Sequence, residues 1–170
     1  MSGKKKLEMI EDEQIEFVAA REYVTIKTDK GDIVVPALTH PKSQGLAVTM
    51  SGFGVFEVTH IRTGLKLTGR HERMGTALLL MSKFVKIAQA NDFTWDDLSQ
   101  EEAKQTMNDL SGKEVPFEGY EITSNGKTKR GSIGDWINGL SMYSFDSVIG
   151  EFPWEESNPL DEALEILAQV

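Results

Sequence analysis

The segment from Phe53 to Asn91 places the strongest constraint on the fold, because it joins two alternating β-patterns to one long apolar helix pattern. Residues 55–61 and 65–68 flank Arg62-Thr63-Gly64, a spacing that predicts two antiparallel strands joined by a tight turn. The helix predicted from Met74 to Ala90 is apolar around most of its circumference. A helix of this kind usually packs against a sheet and against a further element. We therefore expect this ββα unit to form the centre of the fold.

Strand and turn signals also occur on both sides of this unit. A break or bulge is expected at Ser51-Gly52, and Ser99 with Glu102 has the spacing of a helix capping box. Strands come first and helices are mixed with strands later, an order that favours the α+β class. The further strands are predicted at 23–27, 32–36 and 46–50, with a hairpin across Asn125-Gly126.

These patterns predict a single α+β domain over residues 14–150, with an antiparallel sheet packed by a long central helix. Residues 1–13 are expected to form a flexible N-terminal arm of basic and acidic residues. Residues 151–170 read as an acidic, aromatic linker followed by an amphipathic helix, which begins at Asn158-Pro159.

The composition restricts the chemistry more than it reveals the function. The 170 residues include no cysteine, which excludes disulfides, thiolate zinc sites and cysteine nucleophiles. No stretch approaches the roughly 20 apolar residues of a membrane span, so we expect a soluble, cytoplasmic protein without membrane contacts. Residues 1–90 carry 13 Lys/Arg against 10 Asp/Glu, whereas residues 91–170 carry 5 against 17. This asymmetry suggests two surfaces of different charge, although an acidic surface also simply favours solubility. Such a composition is common among small accessory proteins of bacteria and their phages.

Four cations near the predicted turn are candidates for phosphate contacts. Residues 60–90 contain six Lys/Arg against the single acid Glu72. Basic side chains on a ββ turn and the following helix can contact nucleic acid, which makes nucleic-acid binding the alternative function. The competing interpretation is a solvated turn followed by a helix whose exposed face is basic. The candidate nucleic-acid-binding residues are Arg62, Lys66, Arg70 and Arg73.

No motif points to catalysis. Lys129 to Ser132 leads into a predicted helix and could hold a small anion, but the sequence favours a charged hairpin strand with a helix cap here. His40, His60 and His71 lack the spacing of a helical metal pair, and His71 is expected in a surface turn. We therefore expect no metal and no cofactor, and the sequence favours a non-enzymatic protein without excluding an enzyme.

The acidic C-terminal half is the leading candidate for partner binding. An aromatic pair among acids can dock into a groove of another protein, with the apolar face of the terminal helix alongside. The helix could instead close the core of its own domain, or the acidic segment could fold back over the cationic residues. We expect an accessory or regulatory protein that contacts another protein, and a symmetric homodimer is compatible with the sequence. The candidate partner-binding residues are Phe152, Trp154, Glu155, Glu156, Leu160 and Leu164.

Overall fold

A five-stranded antiparallel sheet and four α-helices make up the computed structural model, which describes residues 21–142 and 159–170. The α+β class and the antiparallel sheet expected from the sequence are confirmed. The predicted domain boundaries after residues 13 and 150 lie outside the described residues. The sheet consists of β1 (Arg21–Thr28), β2 (Gly31–Leu38), β3 (Leu46–Gly52), β4 (Val55–His60) and β5 (Leu65–Lys66), in that spatial order.

The remaining elements follow the sheet along the chain. A short 3-10 helix lies at Trp95–Asp97, and the strands of a separate two-stranded sheet pair only with each other. The helices are α1 (Met74–Ala90), α2 (Gln100–Leu110), α3 (Ile133–Met142) and α4 (Pro159–Ala168), and the two-stranded sheet is formed by β6 (Glu121–Ser124) and β7 (Lys127–Arg130).

The first hairpin has an inner and an outer face because its apolar residues alternate. Val24 lies opposite Val35, and both are buried, as is Ile26. The turn is closed by the Thr28 hydroxyl, which donates to the Gly31 carbonyl at 2.6 Å. Pro36 stands just before the two residues of β2 that pair with β3, so its missing N–H removes no bond from that short ladder.

The β3–β4 hairpin contains the irregularity predicted at Ser51-Gly52, as a register shift between Met50 and Gly52. Beyond the two residues of β5 the chain stays beside β4, and a bridge joins Phe56 to His71. His71 is therefore buried rather than on the surface turn expected from the sequence. The two main-chain bonds of the bridge hold it there, each with an N···O distance of 2.8 Å.

The sheet curls, so that its two faces serve two clusters of buried side chains. One face packs against α1 through residues such as Leu46, Val48 and Val58. The other face forms a smaller cluster, in which Ala47 meets buried residues of the first hairpin. The curl brings β1 to the turn after β4, where the Lys27 amide donates to the Gly64 carbonyl at 3.0 Å.

Helix α1 is buried along most of its length and contacts β3, β4 and α4. Ser82 is buried on this helix although it is polar, and its hydroxyl donates to the Leu79 carbonyl at 2.6 Å. Helix α4 places Ala163 and Leu167 in the same core as α1. Among residues 21–142 and 159–170 there is no helix with the length and apolar character that crossing a bilayer requires.

Two local sequence signals behave as predicted. The Ser99 hydroxyl caps α2 by accepting from the Glu102 amide at 3.2 Å, and it also lies 3.1 Å from the Glu102 carboxylate. Asn125 and Gly126 both have positive φ, 51° and 74°, as the tight turn between β6 and β7 requires.

Candidate functional site

Among residues 21–142 and 159–170, the most exposed large apolar side chains on a regular element belong to the first hairpin. We call the side chains of Tyr23, Thr25, Val34 and Pro36 the outer hairpin face. Tyr23 lies opposite Pro36 and Thr25 lies opposite Val34. Tyr23 is 78% exposed and Val34 is 65% exposed. Side chains at directly opposite and diagonal positions on one face of a sheet are close enough to touch, so these four form one continuous patch.

This patch follows from the period of a β-strand. Because Val24 and Ile26 point into the curled sheet, the residues between them must point outward. A strand with solvent on one side normally has polar residues there, but this hairpin has a tyrosine, a valine and a proline. Towards the tip the patch is bounded by Lys27 and Asp32, which lie opposite each other. The rim at this end therefore has no excess charge.

Phe53 is a second exposed aromatic residue and is separate in sequence from this face. It occupies the tip of the β3–β4 hairpin between two glycines, and its side chain is fully exposed. Gly54 has a φ of 71°, which gives the tip its tight turn.

Two of the four candidate cations meet at one carboxylate, and a third has a different partner. Lys66 and Arg70 converge on the buried carboxylate of Glu57, with N···O distances of 4.0 and 3.4 Å, while their own side chains are 55% and 73% exposed. Arg62 instead donates to the Asp97 carbonyl at 2.6 Å, and Arg73 is the N-cap residue of α1. The structure thus brings Lys66 and Arg70 together at one carboxylate, that of Glu57.

Polar groups inside the sheet have internal partners. Thr49 and Thr59 share a hydrogen bond of 2.7 Å between their hydroxyls. His60 donates from Nε2 to the Trp95 carbonyl at 2.6 Å, and its Nδ1 lies 2.9 Å from the Thr63 hydroxyl. These bonds fix His60 as a link between β4 and the 3-10 helix. In the described part of the chain, no three His, Asp or Glu side chains are grouped as a metal site would need.

Lys83, on α1, has a perturbed titration. Burial lowers the pKa of Lys83, and the nearby carboxylate of Glu162 on α4 opposes this by raising it. The ammonium lies 5.1 Å from the centre of the Phe117 ring, within the range of a cation–π interaction. Lys83 is half-buried, because α4 and Phe117 lie beside it.

The predicted partner-binding residues divide into two groups. Phe152, Trp154, Glu155 and Glu156 lie outside the described residues. Leu160 and Leu164 lie on α4, where both are half-buried and pack against the core formed with α1.

The strands that carry the outer hairpin face are predictable from the sequence, but the face itself is not. Tyr23-Val24-Thr25-Ile26-Lys27 is a strand by composition, and its alternation already separates Tyr23 from Val24. Only the curl of the sheet shows which of the two sets is covered. No family model, curated protein or solved structure matches this chain.

Proposed function

We propose that this protein is a non-enzymatic binding protein that acts through contacts with another protein, with the outer hairpin face as its contact surface. The exposure of Tyr23 beside Pro36 and Val34 carries this proposal. Contiguous apolar surface on a soluble protein marks interaction sites, and tyrosine is among the residues enriched where interfaces gain most of their energy. The proposal includes a regulatory or accessory role and a cytoplasmic location.

The chemistry of the face indicates what kind of partner it fits. Its centre is aromatic and aliphatic, and the charges of Lys27 and Asp32 at its tip offset each other. A phosphate-rich ligand would need an excess of cations, which the tip of this face does not offer. An apolar patch on a second protein, surrounded by polar groups, matches the apolar centre of this face and the balanced charges at its tip.

The test compares the wild-type protein with Tyr23→Thr/Val34→Thr. Threonine retains the preference for β-structure while it removes the aromatic and aliphatic surface. Phe53→Thr is the matched control, because it removes an equally exposed aromatic residue from another hairpin. Proteins retained from the native cell extract by the wild-type protein would be purified and their Kd values measured with each variant. We expect the double variant to weaken a direct binder at least tenfold, about 1.4 kcal/mol, and Phe53→Thr to leave it within twofold.

If every binder had the same affinity for Tyr23→Thr/Val34→Thr as for the wild-type protein, the outer hairpin face would not be the contact surface. Sedimentation velocity of the same two proteins tests the homodimer. A dimer that dissociates only in the double variant would identify the partner as a second copy of this chain.

The acidic segment with Phe152, Trp154, Glu155 and Glu156 is retained as a second part of the proposed interface. Its support is the aromatic pair among acids in the sequence. Deleting residues 151–170 would be a poor test, because α4 fills the core beside α1. Phe152→Ala/Trp154→Ala in the full chain leaves α4 intact, and unchanged binding by that variant would remove this segment from the interface.

Nucleic-acid binding through Arg62, Lys66, Arg70 and Arg73 is the second candidate function. The observation that supports it is the excess of Lys66 and Arg70 over their shared partner Glu57. Reversing the charges of Arg62 and Lys66 should then abolish binding to DNA in an anisotropy titration, and full retention would reject this surface.

A further inference from the structure

The hairpin formed by β6 and β7 is exposed to solvent on both of its faces, although Ile122, which is 39% exposed, lies close to Gly131 at its base. Every residue from 121 to 129 is exposed, and only Arg130, at the base, is half-buried. An isolated two-stranded hairpin is marginally stable in water, since it buries too little apolar surface. We call residues 121–130 the β-ribbon. Its exposure on both sides means that it contributes to no core of the described structure.

The base of the β-ribbon is fixed firmly to the helical part of the fold. The Gly131 amide donates to the Tyr120 carbonyl at 2.9 Å, and the Gly131 carbonyl accepts from the Val115 amide at 3.0 Å. Gly131 is buried against the Tyr120 ring, where a Cβ would collide with the ring. Ile133, at the start of α3, is fully buried. The β-ribbon therefore projects in a direction set by the core.

The charge of the β-ribbon is opposite to that of the chain. It carries Lys127, Lys129 and Arg130 against the single acid Glu121, while the whole protein has a net charge of −9. Lys127 and Lys129 share one face, because they are two residues apart on β7, and they lie opposite Ser124 and Ile122. Charges separated by more than about 8 Å are largely screened at physiological salt, so a ligand at the projecting tip experiences chiefly these local cations.

The dimensions of the β-ribbon match the major groove of duplex DNA. Two strands lie about 4.8 Å apart, and four residues per strand extend about 14 Å. The major groove of B-DNA is about 12 Å wide and 8.5 Å deep and admits a two-stranded β-ribbon. The free hydroxyl and amide groups near the tip, on Ser124 and Asn125, can donate to base edges or phosphates while the lysines contact the backbone.

From this combination we propose that the β-ribbon is a DNA-binding arm that enters the major groove, with Lys127, Lys129 and Arg130 contacting phosphates. The proposal is independent of the protein-binding outer hairpin face, and it uses residues other than the four cations of the ββα unit. Contacts between cations and phosphates dominate the binding free energy, so the affinity falls steeply as salt is added.

The test is fluorescence anisotropy with a labelled 20-base-pair duplex of generic sequence, titrated with the full chain at 50 and 200 mM salt. Lys127→Glu/Lys129→Glu is the test variant. Lys42→Glu/Lys104→Glu is the matched control, since both lysines are exposed and the change in net charge is identical. We expect the test variant to bind at least tenfold more weakly at 50 mM salt and to show a salt slope smaller by about 2. The control is expected to retain most of the affinity and the wild-type slope.

Four outcomes would overturn the proposal. The first is that the wild-type protein does not bind the duplex at 50 mM salt, and the second is that the control and the test variant lose affinity equally. The third is that the wild-type protein binds a single strand of the same length as tightly as the duplex. The fourth is that Arg62→Glu/Lys66→Glu loses affinity for the duplex while Lys127→Glu/Lys129→Glu retains it. Circular dichroism of each variant separates lost binding from lost folding. If Lys127→Glu/Lys129→Glu unfolds, Lys127→Gln/Lys129→Gln takes its place, with an expected loss of at least threefold, and unchanged affinity would overturn the proposal.

Discussion

Replacing Trp95 should reveal how much the 3-10 helix contributes to the core. Trp95 is fully buried and its indole N–H donates to the Phe84 carbonyl at 3.0 Å. The ring makes edge contacts with Phe84 and Phe93 at centroid distances of 6.0 and 5.3 Å. Trp95→Ala removes all of these contacts and leaves a cavity, so we expect a loss of about 3–5 kcal/mol in the free energy of unfolding.

Trp95→Phe separates the hydrogen bond from the packing. It keeps an aromatic ring at the site but loses the bond to Phe84, which contributes about 1 kcal/mol, and part of the packed volume. The bond from His60 to the main-chain carbonyl of residue 95 is available in both variants. We therefore expect Trp95→Phe to cost about 1–3 kcal/mol, between the wild-type protein and Trp95→Ala.

Urea unfolding followed by far-UV circular dichroism measures these differences, provided that the m-values of the variants agree. Phe53→Ala is the matched control, because Phe53 is an aromatic residue that is fully exposed. We expect it to change the free energy of unfolding by less than about 0.5 kcal/mol. A loss below 1 kcal/mol for Trp95→Ala, or an equal loss for both alanine variants, would refute the assignment of Trp95 to the core.

Three further predictions concern single sites. Because burial lowers the folded-state pKa of Lys83 below its ordinary 10.5, the unfolded chain binds more protons between those two values, so stability should rise with pH in that window. Lys83→Met should remove this rise in stability. Urea midpoints of both proteins at a series of pH values up to 10.5 would show the difference, and the same pH dependence in Lys83→Met and the wild-type protein would contradict the lowered pKa of Lys83. Gly64→Ala should lower the free energy of unfolding more than Gly54→Ala does, because a Cβ on Gly64 would lie 2.8 Å from a carbonyl oxygen of β1. Gly54→Ala carries only the penalty for a left-handed backbone, about 1–2 kcal/mol. Equal shifts of the melting temperature in the two variants would argue against that contact. Ser99→Ala should lower the free energy of unfolding by about 1 kcal/mol through loss of the α2 cap, and no change in the urea midpoint would mean that the cap is dispensable.

Features determined by a few neighbouring residues could be predicted from the sequence. Asn125-Gly126 specifies its turn because both residues accept positive φ, and Ser99 with Glu102 specifies a helix start through one side-chain bond. The irregularity at Ser51-Gly52 is of the same kind, since glycine tolerates the local distortion.

Features that depend on contacts between distant segments could not be predicted. His71 is buried because its segment pairs with Phe56 on β4, and the sequence near His71 contains no sign of this. Lys83 is half-buried because α4 and Phe117 approach it from elsewhere in the chain. The same limit applies to the candidate sites. Alternation assigns Tyr23 and Val24 to opposite faces, but the curl of the sheet decides which face meets solvent.

The docking of α4 on α1 has a consequence for synthesis of the chain. Neighbouring strands of the five-stranded sheet are consecutive in sequence, so each can pair soon after it is made. Helix α1 must wait for α4, which begins about 70 residues after α1 ends, an interval of about 3–14 s at ordinary translation rates. During that interval part of the apolar surface of α1 lacks the cover that Ala163 and Leu167 later provide. We expect nascent chains shorter than about 160 residues to be the forms that chaperones retain and proteases remove.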